Sequence, residues 1–191
     1  MDMELVMTKW IAMEATAMLV QEKKEELLRR FPAAFLYAAE NLEREMNVRE
    51  DARALDRFGS DHVLPLGEGG IFTALWKMAE QMASGLEVDL RKIPVRQETI
   101  EICEYFDINP YNVLSGGSLL AAAKEGTALA EALTREGIPT VVIGRLTKGN
   151  DRILWNEGNK RFLDRPQKDE MYKRKVTGKG EKDERSDFNI Y

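Results

Sequence analysis

The chain of 191 residues contains one cysteine and one histidine. Cys103 alone cannot close an internal disulfide, which points to a reduced, cytoplasmic compartment. With His62 the only imidazole, no His/Cys cluster reaches metal-ligand spacing, so neither a structural zinc site nor a Cys–His nucleophile pair is expected. An excess of positive charge is also missing, since 28 Lys and Arg stand against 33 Asp and Glu, a net charge of -5. Nucleic-acid binding needs a concentrated basic surface, so that class of partner is excluded. No apolar run approaches a membrane span, and Asp2, Glu4 and Lys9 break up the N-terminus. A soluble protein is expected.

What is there is ordinary globular composition, 43% hydrophobic and 32% charged. The length suits one domain with an appendage. Apolar residues nearly vanish from Gln167 onward, so the domain is expected over 1–166 and a disordered, mixed-charge tail over 167–191. Within the domain, a short strand is expected over 6–11 and amphipathic helices over 14–30, 35–42 and 52–58, with a turn at Gly59-Ser60. Residues 85–90 alternate apolar with acidic positions, the period of a half-buried strand. A helix over 96–106, a buried strand over 118–123, a helix over 127–135 stopped by Gly137, and a β-branched strand over 139–146 follow. A hairpin over 151–163 turns around Glu157-Gly158-Asn159. Interleaved strands and helices predict an α+β layered fold, a mixed sheet covered by helices.

Two loops stand out chemically. Leu66-Gly67-Glu68-Gly69-Gly70 runs into Ile71-Phe72-Thr73-Ala74-Leu75-Trp76, an apolar series at helical spacing. A glycine-rich turn opening a helix leaves N–H groups at the positive end of the dipole, where a phosphate or carboxylate can sit, although glycines also serve plain turns. Asn109-Pro110-Tyr111 followed by Ser115-Gly116-Gly117-Ser118 is a second small-residue loop, entering a strand. Asn109 and Ser115 either hydrogen-bond an anion or hold an ordinary turn. Arg96 and Arg145 are candidate cations for such an anion, or surface residues in weak ion pairs. Glu87 and Asp89 share one strand face, which reads as solvated rather than as a catalytic carboxylate pair. Trp10, Trp76 and Trp155 sit in apolar patterns that place them in the core or beneath another domain.

Taken in order, Met7-Thr8-Lys9-Trp10-Ile11, Gly67-Glu68-Gly69-Gly70-Ile71-Phe72, Leu86-Glu87-Val88-Asp89, Ile93-Pro94-Val95-Arg96-Gln97-Glu98-Thr99, Asn109-Pro110-Tyr111, Ser115-Gly116-Gly117-Ser118-Leu119-Leu120 and Ile138-Pro139-Thr140-Val141-Val142-Ile143-Gly144-Arg145 resemble the C-terminal domain of the aminoimidazole ribonucleotide (AIR) synthetase superfamily. The likeness covers most of the chain and is nearest the hydrogenase-maturation-factor branch. It implies a second domain that closes over nucleotide and substrate, while an N-terminal domain dimerises and holds most of the ATP and magnesium site. With nothing before Met1 to supply that first domain, a free-standing second half is expected. ATP and magnesium would then bind only with a separate N-terminal half or in a homo-oligomer.

Two departures bear on activity. The family commonly reads His-Asp-Val-Thr-Glu-Gly-Gly where this chain has Leu64-Pro65-Leu66-Gly67-Glu68-Gly69-Gly70, so its acid–base side chains are replaced and the backbone part remains. The maturation dehydratase ends in a cysteine-bearing peptide, whereas this chain ends Phe188-Asn189-Ile190-Tyr191. The resulting candidate site comprises Gly67, Glu68, Gly69, Gly70, Asn109, Ser115, Gly116, Gly117 and Arg96, binding a small phosphorylated or carboxylated ligand without a metal of its own. An active ATP-dependent kinase or ligase-like homodimer, and a noncatalytic assembly module, are the alternatives.

Overall fold

The computed structural model describes residues 3–60 and 62–172. Of the expected tail, 173–191 lie outside the described residues. The elements run β1 (Glu4–Thr8), α1 (Met13–Leu27), α2 (Ala33–Glu40), α3 (Arg49–Arg57), β2 (His62–Pro65), α4 (Gly70–Gln81), β3 (Gly85–Asp89), α5 (Gln97–Tyr105), β4 (Leu119–Ala123), α6 (Gly126–Arg135), β5 (Thr140–Thr147), β6 (Arg152–Asn156) and β7 (Asn159–Phe162). The strands form one mixed sheet in the order β2-β4-β1-β5-β3-β6-β7. Every pairing is antiparallel except β3 with β6. The expected layered α+β architecture is what forms.

Strand alternation decides which helix covers which face. Leu5, Met7, Leu86, Val88, Leu120 and Ala122 point to one side, where they bury Ile71, Leu75, Met78 and Ala79 of α4. Val6, Leu119, Ala121 and Ala123 point to the other, against Ala54 and Leu55 of α3 and Leu129 and Leu133 of α6. β4 is buried at every position and carries only Leu and Ala, because small side chains let both helical layers approach it. The β6–β7 hairpin turns through Glu157 (φ 50°) and Gly158 (φ 81°), the two left-handed residues of a tight turn that matches strand twist.

A third core joins α1, α2 and α5 through Leu19, Val20, Leu27, Leu36, Ile102 and Cys103. Burial pushes the Cys103 thiol up to about 12 from an ordinary 9.0. Above pH 9 the unfolded chain therefore releases this proton first, so the thiol's contribution to stability is whole below pH 9 and is lost as pH rises toward 12. Native protein at pH 8 is expected to resist Ellman's reagent, with Cys103 reacting only once denaturant opens the helical core. Rapid native labelling at a rate matching free thiol would contradict this burial.

One strand is unforeseen. His62–Pro65, expected within a turn and loop, pairs with β4 as the margin of the sheet. Its three outer residues are exposed, so no apolar face marks it, and Pro65 is tolerated because an edge strand need donate on one side only.

Candidate functional site

The glycine loop forms the entrance to α4. Gly69 precedes the helix at φ 74° and Gly70 begins it at φ 62°, both left-handed. The loop closes on itself where Gly70 N–H donates to the Gly67 carbonyl at 3.0 Å. Gly69 N–H donates at 2.7 Å to Asp169 Oδ2, a carboxylate one hundred residues away. The next amides, of Ile71 and Phe72, meet no acceptor among the described residues.

The second loop packs against the first. Ser115 N–H donates to the Gly67 carbonyl at 3.1 Å, and Leu66 N–H to the Ser118 carbonyl at 3.0 Å. A Cβ at Gly70 would lie 2.5 Å from the Tyr111 carbonyl oxygen, so only glycine allows this approach. The glycine loop and the Asn109–Gly117 segment thus lie in one corner of the fold.

The side chains are mostly committed locally. Ser115 is fully buried, where its hydroxyl accepts from Ala12 N–H at 2.9 Å and donates to the Val113 carbonyl at 2.8 Å. Asn109 Oδ1 accepts from Tyr111 N–H, capping a short turn, and Glu14 Oε2 accepts from Gly116 N–H. Gly117 (φ 101°) allows the main chain of Met46 to approach. Arg96 is stacked over Trp10 at 4.7 Å and lies 3.6 Å from Glu98, with no hydrogen bond or ion pair to either loop, although the Trp10 carbonyl accepts from the Ser118 hydroxyl. Glu68 is exposed at the loop's crown. Arg145 pairs with Glu87 at 2.8 Å, while Arg91 holds the Asp89 carboxyl below its usual range through side-chain and backbone hydrogen bonds. That strand face is solvated and paired. Trp10, Trp76 and Trp155 are half-buried, two of them beneath Arg96 and Arg152.

Beside the α4 entrance lies a cavity of about 130 Å³ whose lining includes Phe72, Asn109, Asn112, Arg161, Arg165 and the carboxylate-bearing Asp164. Phe72 stacks on Tyr111 with centroids 5.2 Å apart, and the Arg161 guanidinium lies 5.3 Å over the Phe72 ring. Burial raises the Tyr111 hydroxyl above its usual range, opposed by the charge of Arg161. Neither Arg161 nor Arg165 has an ion-pair partner among the described residues. Two guanidiniums with no ion-pair partner among the described residues, beside the first turn of α4, make this corner receptive to an anion even with Asp164 in the lining. Arg161, Arg165 and Asp169 went unforeseen because the hairpin and the chain beyond it bring them here, and no local spacing marks them.

Residues 2–156 match the family model described as AIR synthase related protein, C-terminal domain. The chain belongs to that family. The carbamoyl dehydratase HypE of Rhizobium leguminosarum bv. viciae is 32% identical over 104 residues, 49% of this chain and 30% of that protein. The crystal structure of E. coli HypE superposes with a TM-score of 0.71 at 18% identity, covering 88% of this chain and 51% of the other. Thiamine monophosphate kinase from Aquifex aeolicus gives 0.60 at 14% identity, covering 83% and 51%. This AIR synthase-related domain therefore spans about half the length of those solved relatives and less of the curated one. The likeness to the solved structures at such identities is one of fold.

Proposed function

We propose that this AIR synthase-related domain binds a small phosphate- or carboxylate-bearing ligand where its two loops meet. It acts there with an ATP- and magnesium-binding N-terminal half, or as a dimer, in ATP-dependent chemistry of the hydrogenase-maturation kind. One observation carries the reading: the glycine loop already grips an anion, the Asp169 carboxylate, through a main-chain amide. The Phe72 amide, which meets no acceptor among the described residues, and Arg161 and Arg165 in the same cavity supply further donors to a ligand's charge. Main chain and arginines can hold and orient such a group, and Leu64 and Pro65 stand where the resemblance places the family's His-Asp pair.

Calorimetric titration and thermal melting of the purified chain against phosphorylated ligands test this. A specific ligand at one hundred times its dissociation constant is expected to add about 2.7 kcal/mol of stability. Magnesium-ATP alone is expected to give no steady phosphate release. Continuous hydrolysis by the purified chain would show a complete enzyme, and melting unchanged across the panel would leave the loops as turns of an assembly module. Exposed Glu68 beside open amides favours a second reading, a cation-assisted homodimeric kinase or ligase. That reading requires an oligomer whose light scattering responds to nucleotide.

A further inference from the structure

Residues 163–172 form a strap beside the cleft. Leu163, Asp169 and Met171 are buried, while 164–168 between them are exposed and supply one wall of the cavity. Met171 inserts into the α1–α2–α5 core, an ordinary apolar anchor. Asp169 is different in kind, being a carboxylate only 1% exposed in an otherwise solvated stretch. Burying a charge is costly unless it is compensated. No Lys or Arg ion-pairs with it among the described residues. Its compensation is main chain, with Oδ2 accepting from Gly69 N–H at 2.7 Å and Oδ1 from Met171 N–H at 2.9 Å. A ligand's phosphate or carboxylate would be held by the same kind of donor.

We propose that Asp169 is an internal stand-in for the ligand's anionic group. The strap closes the glycine loop when the site is empty. An incoming phosphate or carboxylate takes the Gly69 amide and frees residues 164–172, so that occupancy is reported as movement of this strap. This rests on the reading of the loop as an anion site. The exchange replaces one acceptor by another on the same buried donor, so Gly69 N–H is not left unpaired in either state. Met171 resists release, and Arg161 and Arg165 meet the ligand's additional charge. Apparent affinity is reduced by the fraction of molecules in which the strap is closed.

The experiment titrates pyrophosphate into full-length wild type, Asp169→Ala, Asp169→Asn and Met171→Ala by calorimetry, with hydrogen exchange followed over 163–172. Removing the competing carboxylate is expected to tighten pyrophosphate binding about tenfold in Asp169→Ala, and loosening the anchor to tighten it less in Met171→Ala. Asp169→Asn keeps the shape with a neutral, weaker acceptor and is expected to move the same way, which serves if the alanine variant does not fold. Saturating pyrophosphate is expected to speed exchange across the strap in wild type. If pyrophosphate binds wild type and the Asp169 variants alike and leaves the strap protected, Asp169 is a structural cap and the exchange is refuted while the ligand reading stands. Weaker binding in the Asp169 variants would place Asp169 among the ligand's own contacts, again refuting the exchange. Absence of binding in all four proteins would remove both.

Discussion

Gly70→Ala is expected to lower the unfolding free energy by about 3–5 kcal/mol, the range of the most damaging single substitutions. Two independent costs combine at this position. Its φ of 62° lies where a Cβ meets its own backbone, and the added methyl would sit 2.5 Å from the Tyr111 carbonyl oxygen and 2.8 Å from that of Val113. Both neighbours are main chain and cannot swing aside. Separating the loops would also stretch the bonds from Ser115 and Leu66 N–H, so loss of stability should be accompanied by loss of phosphorylated-ligand affinity. Urea unfolding with a shifted midpoint and an unchanged slope measures the first effect. A shift equivalent to under about 1 kcal/mol would mean that the loops yield more readily than their packing implies.

The second large effect is expected at Lys9. Its Nζ lies 3.0 Å from Asp51 Oδ2 and donates to the Asn47 carbonyl at 2.8 Å, with only 11% and 3% of the two side chains accessible. The Lys9–Asp51 contact is an ion contact rather than an aligned hydrogen bond, and it ties the end of β1 to α3. Lys9→Met leaves the Asp51 carboxylate buried without its cation, which is expected to cost about 3 kcal/mol. Replacing both, with Lys9→Met and Asp51→Leu together, removes the stranded charge and is expected to recover most of that loss. A double variant less stable than the single one would show that the pair contributes more than the burial of its charges costs.

Legibility in the sequence followed how local each signal is. Gly69-Gly70 before Ile71, Leu75 and Met78 marks a helix entrance within a dozen residues, and α4 begins there. Thr140–Thr147 is rich in β-branched residues and turned out to be a strand, and Glu157-Gly158 turned out to be the hairpin bend. His62–Pro65 carries no such mark, because its strand conformation is imposed by β4, more than fifty residues later. The site behaves the same way. The two loops meet through the Gly67 and Ser115 main chain, which side-chain patterns do not report. The sequence leaves Ser115 open between an anion contact and a plain turn, and its hydroxyl is occupied by Ala12 N–H and the Val113 carbonyl. Arg161 and Asp169 sit in segments whose composition reads as solvated, and only the closed fold brings them to the α4 entrance.

The position of β1 has a consequence for biosynthesis. This strand occupies the interior of the sheet, yet its partners are Leu120–Ala123 on one side and residues 140–145 on the other. A ribosome must therefore deliver the chain as far as β4 before β1 finds a neighbour, and closure of so long a loop is entropically slow. Leu5, Val6 and Met7 wait unpaired through that interval, which makes β1 a segment in need of chaperone protection.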